Sequence, residues 1–106
     1  MIKVVLFSRE NRVVGFCVSG HAGYAESGSD VVCAGVTTAV QMTANGVTEC
    51  TGIPAEVRVE ENLVSLLLPN SCHDDIALVL LEVFELQMGI MAQEYKDYIV
   101  LMYSEV

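Results

Sequence analysis

Twice in this chain an apolar, largely β-branched run is cut by the dipeptide Glu-Asn and resumes at once. The first unit is residues 2–9, Glu10-Asn11 and residues 12–19; the second is residues 55–60, Glu61-Asn62 and residues 63–68. A two-residue break between extended runs leaves room only for a tight reversal, so each unit predicts an antiparallel hairpin. In residues 12–19, Val14, Phe16 and Val18 share one face while Val13, Cys17 and Ser19 share the other. Residues 55–60 (A-E-V-R-V-E) alternate as a half-exposed strand does. Two such hairpins commit the chain to an antiparallel sheet that needs cover on at least one face.

The cover is legible between and after the hairpins. Val32, Val36, Ala39, Thr43 and Gly46 recur at steps of three and four, which predicts a helix from Asp30 to about Glu49. Ser29 or Asp30 supplies an N-cap, and Gly52-Ile53-Pro54 a stop. This stripe is poor in bulky side chains, so the helix is expected to lie close to its neighbour. A second helix is expected over residues 72–94, with Ser71 and Asp74 in capping-box spacing and Asp74 and Asp75 in the first turn. It is dense in Ile76, Leu78, Val79, Leu80, Val83, Phe84, Leu86, Ile90 and Met91, more apolar surface than one sheet face needs; the surplus is either buried centrally or meets another subunit. Residues 98–104 (Y-I-V-L-M-Y-S) read as a last strand. The order β-β-α-β-β-α-β predicts an α/β fold of the α+β type: a two-layer sandwich, its sheet largely antiparallel, with two helices on one face.

At 106 residues and 53% hydrophobic content, residues 1–106 form a single domain with enough core to fold without staples. The net charge of −9 and the scattering of Lys3, Arg9, Arg12, Arg58 and Lys96 argue against direct nucleic-acid binding, which needs clustered cations. An acidic surface suits a basic partner, or simply solubility. No apolar run approaches the ~18 residues of a membrane span. The N-terminus lacks a signal-peptide pattern, so a cytoplasmic location with reduced cysteines is expected. Cys17, Cys33, Cys50 and Cys72 show no C-x-x-C spacing, and no cofactor is implied.

The stretch from Ser19 to Thr38 (S-G-H-A-G-Y-A-E-S-G-S-D-V-V-C-A-G-V-T-T) is different in kind. Gly20, Gly23 and Gly28, with Ser27 and Ser29, make a loop rather than an element. It holds His21 at the end of a strand and Cys33 in the expected first turn of a helix, with eleven residues between them. A helix N-terminus offers unpaired N–H groups and partial positive charge, which favour a thiolate and can hold an oxyanion. An imidazole brought to that end can take the thiol proton and return it to a leaving amine. Asp30 works against this by raising a neighbouring thiol's pKa, unless it orients the imidazole instead. The competing reading is structural: a cysteine beside Val32 and Ala34 packs as a small hydrophobe, and a loop histidine is solvated. A non-catalytic module whose loop grips a peptide or protein partner fits the lack of a third catalytic group. Cys72-His73 reads as incidental, and Cys17 and Cys50 as structural. A metal site built from His21, Cys33, Cys72 and His73 ranks last, for want of ligand spacing.

The runs S-G-H-A-G-Y and D-V-V-C-A-G-V-T, with the Gly/Ser-rich loop between them, resemble the ribosomal-processing cysteine protease (Prp) family, and the order of elements resembles it over essentially the whole chain. The resemblance implies His21 as general base and acid and Cys33 as nucleophile. It implies a substrate too: the N-terminal extension of a large-subunit ribosomal protein precursor, number twenty-seven in the bacterial series, cut after an aromatic-containing apolar motif. It further implies a homodimer, and a loop that moves on substrate binding with Gly20, Gly23 and Gly28 at its flexible positions. Thr37 stands where many members carry serine, keeping the hydroxyl, and Gly35 where alanine is common.

Overall fold

The computed structural model describes residues 1–20 and 29–106, Ser29 and Asp30 by backbone alone. The first hairpin joins β1 (Ile2–Arg9) to β2 (Arg12–Gly20). Glu10 and Asn11 both take positive φ, 53° and 65°, the paired left-handed geometry that a two-residue hairpin turn requires. A register shift between Phe7 and Ser8 brings Val13 and Val14, neighbours in sequence, both into the core. The second hairpin joins β3 (Glu56–Glu60) to β4 (Leu63–Leu67) through Asn62 at φ 65°. Pairing of β2 with β4 welds the hairpins together. Gly15 sits at this weld, where any Cβ would strike the Leu66 carbonyl.

The sheet order is β3-β4-β2-β1-β5, with β5 spanning Ile99–Glu105. The last strand lies parallel to β1, in register from Ile2 opposite Ile99 to Ser8 opposite Glu105. The largely antiparallel sheet is therefore mixed at one edge. Residues Ile2, Val4 and Leu6, with Phe16 and Leu66, line the face that the helices cover.

Helix α1 covers Ser29–Asn45 and continues into a π-helical turn, Gly46–Cys50, closed by the Thr51 N–H donating to the Gly46 carbonyl at 3.1 Å. A single helix to Glu49 was expected; the backbone instead widens by one residue after Asn45. Gly52, at φ 72°, reverses the chain beyond it. Helix α2 covers Asp75–Glu94, starting three residues later than the sequence suggests. The Cys72 N–H turns back to the Pro69 carbonyl at 3.0 Å, so residues 69–72 form a turn. Asp74, not Ser71, is the N-cap, its carboxylate accepting from the Ala77 N–H at 2.9 Å.

The thin stripe of α1 does what thin stripes allow. A Cβ at Gly35 would stand 3.2 Å from Met91 Cε, and one at Gly46 would stand 3.1 Å from Leu80 Cδ1. The helices thus meet with glycine on one side and long side chains on the other. Val32, Val36, Val40 and Val47 complete the buried side of α1, and the buried Thr43 hydroxyl donates to its own helix at the Ala39 carbonyl, 2.8 Å away. From α2, Phe84 stacks on Phe16 of the sheet with ring centroids 4.6 Å apart. Neither helix, among the described residues, is long and apolar enough to cross a membrane.

Candidate active site

Beyond α1 the sheet continues uncovered to its β3 edge, and a cavity of about 480 Å³ opens in the angle. One wall is the open flank of α1, with Cys33, Thr37, Gln41 and Asn45, continued by Thr48 of the π-turn. The floor is apolar, made of Val18, Val36, Val40 and Val64. The far wall comes from β3, whose Val57 and Val59 point to the helix side yet are 41% and 74% exposed, because α1 does not reach over them. Glu60 at the rim is ion-paired to Arg58 at 2.7 Å.

Cys33 is half-buried on this wall and is the fifth residue of α1, one step past the first turn where it was expected. Helical Cα–Cβ bonds tilt toward the N-terminus, so its side chain still leans over the turn that precedes it. The end of β2, Ser19 and Gly20, lines the same cavity. Gly20 has φ 87°, donates its N–H to the Asn62 carbonyl at 3.0 Å, and packs so tightly that a Cβ would strike the Met1 carbonyl. No other residue type satisfies both the backbone angle and the contact. Gly20 is thus a fixed root, from which the chain departs directly into His21.

His21, Gly23 and Gly28 lie outside the described residues, as does the Asp30 side chain. What the fold brings together is therefore Cys33, Thr37 and Gly20 on one cavity. The other cysteines stand apart from it. Cys17 faces the opposite side of the sheet, paired across β4 at Ser65; burial pushes its thiol pKa up, against the pull of Arg58 and Lys3. Cys50 is exposed at the end of the π-turn, and Cys72 packs against the core while His73 is exposed.

Sequence reasoning passed over Gln41, Asn45, Val57 and Val59. The first two continue from Cys33 and Thr37 at steps of four, a signal that was present. The valines gave none, because alternation along β3 does not reveal which stretch of sheet the helices leave bare.

Residues 1–100 match the family model for the cysteine protease Prp. The chain belongs to that family. It is accordingly a cysteine protease rather than a non-catalytic binding module. A curated relative, the ribosomal processing cysteine protease Prp of Bacillus subtilis (strain 168), is 30% identical over 95 residues, covering 85% of each chain. Among solved structures, SMU.848 from Streptococcus mutans superposes with a TM-score of 0.88 at 22% identity, over 100% of this chain and 96% of that one. Prp from S. aureus, solved with a covalently linked product peptide, gives a TM-score of 0.86 at 22% identity, over 98% and 100%. Both structures share the Prp fold described above.

Proposed function

We propose that this Prp-family protease removes the N-terminal extension of a large-subunit ribosomal protein precursor, number twenty-seven in the bacterial series, in the cytoplasm. The observation that supports this is that Cys33 and Gly20, the residue just before His21, line one cavity. Cys33 Sγ attacks the scissile carbonyl while His21 takes the thiol proton; the tetrahedral intermediate collapses to a thioester as His21 protonates the leaving amine. Water, deprotonated by His21, then releases the acid and restores the thiol. Ser29 and Asp30 both lie inside α1 rather than at its expected cap, so Asp30 puts negative charge in the helix's first turn and orients the imidazole. Thr37, one turn below Cys33, lines the same cavity. A protein of net charge −9 attracts a basic ribosomal precursor, an attraction that salt weakens.

The protease acts as a homodimer. Ile76, Val79, Val83, Leu86 and Ile90 follow one another on α2 at steps of three and four, and all are between 41% and 67% exposed. That is the seam spacing of one helix packed lengthwise on another. Val83 lies midway, seven residues from both Ile76 and Ile90, so a second copy running antiparallel sets the two seams end to end.

The test is cleavage of a peptide spanning the precursor junction. Wild type releases two fragments, Cys33→Ala releases none, and His21→Ala is slower by about 10²–10⁴-fold. Cleavage by Cys33→Ala at the wild-type rate overturns the assignment.

A further inference from the structure

The exposed flank of α1 repeats a polar residue every four positions: Thr37, Gln41, Asn45. Four residues of α-helix advance about 6 Å, and two residues of extended chain advance about 6.6 Å. Side chains on this flank therefore keep step with every second peptide unit of an extended segment laid along the cavity. Gln and Asn each carry one donor group and one acceptor, the same pair that a peptide unit presents. The amide of Asn45, the residue leading into the π-turn, makes no capping bond, whereas the Thr48 hydroxyl is spent on the Ala44 carbonyl at 3.0 Å. Facing this flank, Val57 and Val59 stand two residues apart on β3 and offer apolar surface at the same period.

We propose that Gln41 and Asn45, with Thr37 as the rung nearest Cys33, form a ladder that holds the main chain of an extended substrate segment, its side chains turned to Val57 and Val59. This rests on the proteolytic reading of Cys33 and extends it to substrate geometry. The distance from Cys33 to Asn45 is about 18 Å of helix, room for about five extended residues on one side of the bond that is cut. Gln41 and Asn45 are positioning residues: they fix register and sequence-independent affinity, while the valine wall selects side chains.

The experiment replaces single peptide bonds of the junction peptide by esters, one at a time, on both sides of the cut. Each ester removes one N–H donor. On one side of the cut, and only there, kcat/KM is expected to fall by up to about tenfold at alternate positions and to change little at those between. In the Gln41→Ala/Asn45→Ala chain the alternation is lost at every position but the one Thr37 serves, next to the cut, and KM rises with kcat little changed. Both residues are exposed, so thermal unfolding serves as the folding control. A flat ester series, or an alternation that survives in the double variant beyond the Thr37 rung, overturns the ladder. Should wild type cleave nothing, the proteolytic reading fails by itself. The ladder is then judged by Kd of the same esters on Cys33→Ala: a two-residue period supports it and a flat series overturns it.

Discussion

The two helices of this protein solve opposite problems. Helix α1 is thin on its packed side, where Gly35 and Gly46 admit Met91 and Leu80, and polar on its open side, where Cys33, Thr37, Gln41 and Asn45 border a cavity. Helix α2 is bulky on its packed side, where Leu81, Phe84 and Met88 are fully buried, and apolar on its open side, where the Ile76–Ile90 seam faces out. An exposed flank that is polar and borders a cleft suits a small extended ligand. One that is apolar and straight suits another helix. The packed sides differ too: α1 fails when atoms are added and α2 when they are removed.

Deleting atoms from α2 has the largest effect. Phe84→Ala removes a buried ring that stacks on Phe16, and should cost about 3–5 kcal/mol in chemical denaturation. Adding atoms to α1 comes next. Gly46→Val drives a branched side chain into Leu80 and should cost about 1–3 kcal/mol, with activity per folded molecule retained. A neutral Gly46→Val would show that the close approach of the helices is slack.

Much of this contrast was legible beforehand. The glycines of the α1 stripe announced a close neighbour, and the surplus of apolar residues on α2 announced an open apolar side. The Glu-Asn breaks located both hairpins, because a two-residue reversal leaves the chain few alternatives. Other features depended on information that periodicity does not hold. The parallel docking of β5 follows from where the α2 exit delivers the chain, not from its own alternation. The π-turn at Gly46–Cys50 adds one residue to a helix whose stripe reads the same with or without it. The cavity exists because α1 stops short of the β3 edge, a matter of how two elements sit together.

Disturbing the seam of α2 should act on assembly alone. Val83→Glu places like charges opposite each other at the proposed two-fold, and should give a monomer by sedimentation while each protomer's stability shifts by about 0.5 kcal/mol or less. Unchanged sedimentation would remove the seam's assigned role. The smallest effect lies at the margin of the seam. The Tyr103 hydroxyl donates to the Glu85 carboxylate at 2.6 Å, and this bond, ahead of partial burial and the carboxylate's charge, pushes the phenol pKa up to about 12 from its ordinary 10. The folded chain therefore holds a proton that the unfolded chain loses from pH 10 upward. The associated stability is intact below pH 10 and disappears as pH rises through 12. Alkaline absorbance titration should show one tyrosine ionising late, and Glu85→Gln should bring it earlier.

The pairing of β1 with β5 has a consequence for how the molecule comes into being. Ile2 donates its N–H to the Tyr98 carbonyl at 2.7 Å, and Val106 donates to Ser8 at 2.9 Å, so the earliest strand is flanked by the latest. During synthesis β1 finds β2 within moments, but its other edge waits until β5, some ninety residues later, has emerged. Contacts between such distant parts close late and slowly. The cavity is lined by β1, β2, α1 with its π-turn, β3 and β4, all of them made before β5. The chain thus assembles its chemistry first and secures its frame last.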